Sequence, residues 1–125
     1  MNIDTETKTK SRQFAVKVVQ LCKHITTNKK ETTLSEQLLH SGTSIGANLV
    51  KADCALSRNE FLGRVSEALQ NCAETKYWLE LLNDVEFLTE FEFHDTLKDC
   101  DELGKLLVGT VKTLRAALTP SPQPK

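Results

Sequence analysis

Long apolar runs are missing from this 125-residue sequence: no stretch approaches the roughly 18 consecutive apolar residues that span a bilayer. The opening Met-Asn-Ile-Asp-Thr-Glu-Thr also lacks the basic-then-apolar layout of a secretion signal. A cytoplasmic chain with no membrane partner is expected. Net charge is nearly absent, with Lys+Arg 16 against Asp+Glu 17, so no global field draws phosphate backbones and any nucleic-acid site must be a local patch. Cys22, Cys54, Cys72 and Cys100 form no Cys-x-x-Cys pair. Three of them fall on apolar helical positions, which reads as reduced core thiols. Period-two alternation is missing as well, and with it the signature of strands. The patterns of catalytic and metal chemistry fail in turn. His40 follows Glu36 by four residues rather than three, His94 follows Glu92 by two, and no His-Glu-x-x-His occurs. His24, His40 and His94 read as surface or internally satisfied side chains. Cys54 has no base near it in sequence. No cofactor or metal is expected, and the chain is expected not to be an enzyme.

What is present is helical periodicity. With 39% hydrophobic residues and a mass of 14.0 kDa, the chain suffices for one globular domain with its own core. Residues 1–12 are polar and are expected to form a flexible N-terminal segment. Phe14, Val18, Leu21, Cys22 and Ile25 then mark a first helix, with Ala15, Val16 and Val19 broadening its stripe. The polar stretch 26–30 ends it. Thr33 with Glu36, Ser57 with Glu60 and Thr89 with Glu92 read as capping boxes opening three further helices. Helix three carries the cleanest heptad: Phe61, Val65, Ala68, Cys72, Thr75, Leu79 and Leu82. Helix four repeats it through Phe93, Leu97, Cys100, Gly104, Leu107, Val111, Leu114 and Leu118. The tail, residues 119–125, alternates prolines that remove amide donors, and is expected to be disordered. The reading is an all-α, up-down-up-down four-helix bundle over residues 13–118.

Helix two holds the most informative stretch. Leu38, Gly42, Ile45, Leu49 and Ala52 share one face, and Gly42 and Gly46 stand four apart among Ser41, Thr43, Ser44 and Ala47. Glycine costs about 1 kcal/mol relative to alanine inside a helix. The chain accepts that cost where a neighbouring backbone must approach. A close crossing inside one subunit and a contact between subunits both satisfy this spacing. On helix three, Tyr77 and Leu81 project away from the heptad and Trp78 lies at its flank, which suggests a contact surface.

The run Leu39-His40-Ser41-Gly42-Thr43-Ser44-Ile45-Gly46-Ala47-Asn48, followed by Ser57-Arg58-Asn59-Glu60-Phe61 and by Glu74-Thr75-Lys76-Tyr77-Trp78-Leu79-Glu80-Leu81-Leu82, resembles the bacterial four-helix-bundle family. That family is named for proteins encoded in intervening sequences of 23S rRNA genes. The likeness runs from about Phe14 to Leu118. It implies a left-handed bundle that assembles into a homopentameric ring, with no established biochemical role for most members. Related accessory proteins of diversity-generating retroelements are similar pentameric barrels that engage a reverse transcriptase and nucleic acid. This chain departs from the pattern in two places. Lys51 stands where an acidic residue is usual, and His40 stands where arginine is common, losing a permanently charged fork-shaped donor.

Charge is unevenly spread. Positions 1–30 hold seven bases against Asp4 and Glu6, while positions 80–102 hold nine acids against Lys98. In an antiparallel bundle this lets Lys23, Lys29 and Lys30 face Asp95, Asp99 and Glu92. A sharper reading has Lys8, Lys10, Arg12 and Lys17 grip phosphates. The expected function is a homo-oligomeric scaffold or adaptor, assembled through Ser41, Gly42, Ser44, Gly46, Asn48, Tyr77, Trp78 and Leu81, with an unidentified protein partner. The alternative is a nucleic-acid-binding accessory protein acting through the basic N-terminal patch.

Overall fold

The computed structural model describes residues 2–118, which form four helices and, among the described residues, no strand. Helix α1 spans Thr5–His24 and runs on into a π-helical turn at Ile25–Lys29. Helices α2, α3 and α4 span Thr33–Asp53, Arg58–Asp84 and Glu90–Leu118. Short connections make consecutive helices antiparallel. Around the bundle α1 packs on α2 and α4, and α3 packs on the same two helices. The proline tail lies outside the described residues.

Helix α1 starts well ahead of residue 13, where the apolar pattern opens. Asp4 caps it by accepting the Thr7 amide at 2.7 Å, and hydrogen bonding from the Thr7 side chain and amide holds the Asp4 carboxyl below its ordinary pKa. Ile3 is buried, and its amide donates to Asp53 Oδ1 at 2.9 Å, tying the chain start to the end of α2. The extra turns carry Thr7 and Ser11 on the buried face. Polar residues at core positions hide the stripe from a periodicity reading.

One of the three capping boxes forms in full and a second in half. Thr89 Oγ1 accepts the Glu92 amide at 3.1 Å and Glu92 returns the bond to the Thr89 amide at 2.8 Å. Ser57 accepts the Glu60 amide at 3.0 Å, while the Glu60 carboxylate reaches back one residue further, to the Leu56 amide at 3.0 Å. At α2 the Thr33–Glu36 pair does not act as a box. Helix α2 begins at Thr33 itself, and Glu31 caps it by accepting the Leu34 amide at 2.8 Å. The corner after α3 closes with paired bonds from Glu86 N to Asn83 O (3.0 Å) and Phe87 N to Leu82 O (2.9 Å), with Glu86 at φ 64. Glu86 thus occupies the left-handed position that glycine prefers at helix ends.

The core lies between the four helices. All seven heptad positions of α3 are buried. On α4 the seam is displaced, with Thr96, Cys100, Leu103, Leu107 and Val111 buried and Phe93, Leu97, Gly104 and Leu114 only half-buried. Threonine at 96 breaks the apolar pattern there, so the alternation traced through Phe93 and Leu97 follows the flank. On α1, Val16 and Val19 are exposed rather than part of the stripe. Cys22, Cys72 and Cys100 are buried free thiols and Cys54 is an exposed one.

Candidate functional site

The small-residue stretch of α2 divides between an inner and an outer face. On the inner face, Gly42 faces α1. A β-carbon there would lie 2.8 and 2.9 Å from the Val18 methyls, so only glycine fits while Val18 keeps its place. Ser41 and Asn48 turn towards α3. The Ser41 and Thr75 hydroxyls lie 3.0 Å apart, Thr75 donates to Asn71 O at 2.7 Å, and Asn48 Nδ2 donates to Asn71 Oδ1 at 2.7 Å. Ser41, Gly42 and Asn48 are therefore buried and satisfied within the single chain. Ser44 is half-buried, its hydroxyl donating to His40 O at 2.6 Å.

The outer face is different. Thr43, Gly46, Ala47, Val50 and Asp53 line a groove of about 390 Å³ between α1 and α2, whose other wall is Lys8, Ser11, Arg12 and Ala15. A β-carbon at Gly46 would meet Ser11 Oγ at 3.6 Å, an ordinary contact. Gly46 thus shapes an open channel, whereas Gly42 permits a closed one. Val50 is 67% exposed beside this groove. Further along the same helix pair a second hollow is bordered by Val19, Lys23 and Leu39. Val19 and Leu39 are also exposed.

Helix α3 carries the opposite shape. Tyr77 is 57% exposed and stands edge-on to Trp78, with ring centroids 4.9 Å apart. Trp78 is half-buried against the core and donates Nε1 to Glu74 at 3.2 Å. Leu81 is half-buried. Of the expected contact residues, only Tyr77 projects fully as an aromatic knob. Two further exposed apolar residues, Leu56 at 92% and Phe91 at 76%, escape a periodicity reading because they flank the helix boundaries.

The basic N-terminal residues are largely engaged inside the chain. Lys8 pairs with Asp53, Lys10 with Glu6 at 3.4 Å, and Lys17 with both Asp95, at 2.8 Å, and Asp99. Partial burial pulls the Lys17 ammonium down, but the hydrogen bonds and charges of the two aspartates outweigh it and hold its pKa above the ordinary value. Burial pushes the Asp53 carboxyl up, yet Lys8, the Ile3 amide and the N-terminal charge bring it below the usual range. Arg12 is exposed and makes no ion pair among the described residues. The α1–α4 charge match exists, but Lys17 makes it rather than Lys23, Lys29 and Lys30. His24 Nε2 lies 3.6 Å from Glu92.

A shallower groove of about 620 Å³ runs between α3 and α4, with Cys72 and Cys100 at its floor and Lys76 and Asp101 across its rim, 3.5 Å apart. A hydrogen bond with Cys100, then burial, pushes the Cys72 pKa strongly up, and burial raises Cys22. Among the described residues no group of three or more His, Cys, Asp or Glu side chains converges closely enough to hold a metal ion. Nor is any described helix long and apolar enough to cross a membrane.

A family model described as 23S rRNA-intervening sequence protein matches residues 4–109. Among solved structures the chain is similar to a protein of unknown function from the S23 ribosomal protein family of Bacteroides thetaiotaomicron. The two share 42% identity at a TM-score of 0.84, over 85% of this chain and 98% of that one. No curated protein matches the chain.

Proposed function

The chain belongs to the 23S rRNA-intervening sequence protein family, and on that premise we propose that it works as a non-enzymatic, cytoplasmic scaffold or adaptor assembled from copies of itself, with five as the expected number. The observation that carries this reading is Tyr77. A tyrosine more than half exposed in the last third of a 27-residue helix, stacked edge-on against a tryptophan, adds apolar surface that a monomer would leave wet. Aromatic residues are enriched at interfaces because they bury a large area at little entropic cost. The exposed valines and leucine of the α1–α2 face support the same reading.

A phosphate grip draws less support, because Lys8, Lys10 and Lys17 already pair with carboxylates of this chain. Light scattering across a dilution series tests the proposal. Wild type is expected near five times the 14.0 kDa of one chain, and Tyr77→Ala is expected to collapse towards one subunit. A wild-type monomer at every concentration overturns the reading.

A further inference from the structure

We propose that the groove between α1 and α2 is the seat for Tyr77 of a second copy of this chain, so that the copies join head to tail. This rests on the self-association reading and adds which surface meets which. The two surfaces match in shape. The groove, about 390 Å³ and floored by small side chains around Gly46 and Ala47, exceeds the roughly 150 Å³ that holds a benzene-sized ring. Tyr77 supplies such a ring on an exposed ridge.

They also match in charge. Of the charged residues lining the groove, Lys8 and Asp53 pair with each other, and Arg12 is exposed and makes no ion pair among the described residues. Along the ridge, Glu74, Glu80 and Asp84 stand three residues before, three after and seven after Tyr77, on the same side of α3. Glu80 and Asp84 make no ion pair among the described residues either. A hollow whose unpaired lining charge is the Arg12 cation and an acidic aromatic knob are complementary to each other, and neither is complementary to itself.

Because the groove belongs to α1 and α2 and the knob to α3, each copy uses both surfaces once. Such heterologous contacts close into rings when the rotation allows and otherwise extend as filaments.

The test separates the two surfaces. Ala47→Glu fills the groove and opposes the acidic ridge, leaving Tyr77 intact. Tyr77→Ala removes the knob and leaves the groove intact. Both positions are exposed, and circular dichroism verifies that each variant folds; Arg12→Glu replaces Ala47→Glu should that variant unfold. By light scattering each variant alone is expected at the single-chain 14.0 kDa, at concentrations where wild type is assembled. An equimolar mixture is expected at twice that mass and no more, since one live knob meets one live groove and the remaining surfaces are dead. If either variant alone keeps the wild-type mass, or the two monomeric variants do not pair on mixing, the head-to-tail seat is wrong while self-association stands. Wild type that is monomeric throughout removes the premise instead.

Discussion

Replacing Gly42 by alanine sets two effects of similar size against each other, and a second site decides the sign. Alanine is favoured over glycine in a helix interior by about 1 kcal/mol. Against that, the new β-carbon would sit 2.8 and 2.9 Å from the two Val18 methyls. Val18 is fully buried, and a β-branched side chain in a helix has one strongly preferred rotamer, so it cannot swing aside. Overpacking of this kind costs about 1–3 kcal/mol, which leaves Gly42→Ala neutral to about 2 kcal/mol destabilised. In a Val18→Ala background the methyls are gone and the nearest atom is the residue-18 β-carbon at 3.2 Å, a tight contact that a shift of a few tenths of an ångström relieves, so the same Gly42→Ala change is expected to stabilise by up to about 1 kcal/mol. The coupling is then about 1–3 kcal/mol, beyond the roughly 0.5 kcal/mol within which independent sites add. Gly109→Ala serves as control, because a β-carbon there meets nothing within 4 Å and the gain is expected undiminished. Urea unfolding of the four cycle members and the control, at one fixed protomer concentration, measures all of these. Gly42→Ala stabilising the parent chain as much as Gly109→Ala would refute the reasoning, because the α1–α2 approach would then not be limited by Val18.

Glu86→Gly is expected to stabilise by about 0.5–1 kcal/mol in thermal melts, since it relieves a left-handed residue at the α3 terminus. Thr75→Val should cost about 1 kcal/mol in urea unfolding, because it leaves the buried Ser41 hydroxyl with only a long bond to Leu38 O, and adding Ser41→Ala should recover part of the loss. Lys17→Met should destabilise by about 0.5–1 kcal/mol at neutral pH. Because the folded-state pKa of Lys17 is raised, that difference is expected to hold below 10.5 and to vanish as pH rises through the raised value, which urea melts on both sides of 10.5 would show.

The fold was legible where burial and apolarity coincide. Every heptad position of α3, from Phe61 to Leu82, is buried, because each is apolar or, at Thr75, small enough to bond its own helix. The reading drifted where core positions are polar. Thr7 and Ser11 extend α1 by two turns, and Thr96 shifts the α4 seam; spacing rules that look for apolar residues pass over all three. The failed box at α2 has a related cause. Thr33 and Glu36 have the right spacing, but Glu31 reaches the Leu34 amide first and the helix starts one residue early.

The site was half legible for a reason that lies in what glycine reports. Two glycines four apart say that space is needed, not who fills it. Gly42 admits Val18 of its own chain, while Gly46, one turn on, leaves a channel open. The difference comes from rotation of about 40° between positions i and i+4 on a helix of 3.6 residues per turn. That is enough to carry one glycine into the core and the other to a rim. The charges obey the same geometry. An excess of bases over positions 1–30 and of acids near the start of α4 announces that the two helices attract. Which base reaches an acid depends on which side of α1 faces α4. Lys17 lies on that side with Asp95 and Asp99, whereas Lys23 borders the α1–α2 face with Val19 and Leu39. An apolar stripe locates the core but leaves the order of neighbours around it unassigned. The surfaces on which assembly would depend, Val50 and Arg12 on one pair of helices and Tyr77 on another, are therefore defined only once that order is known.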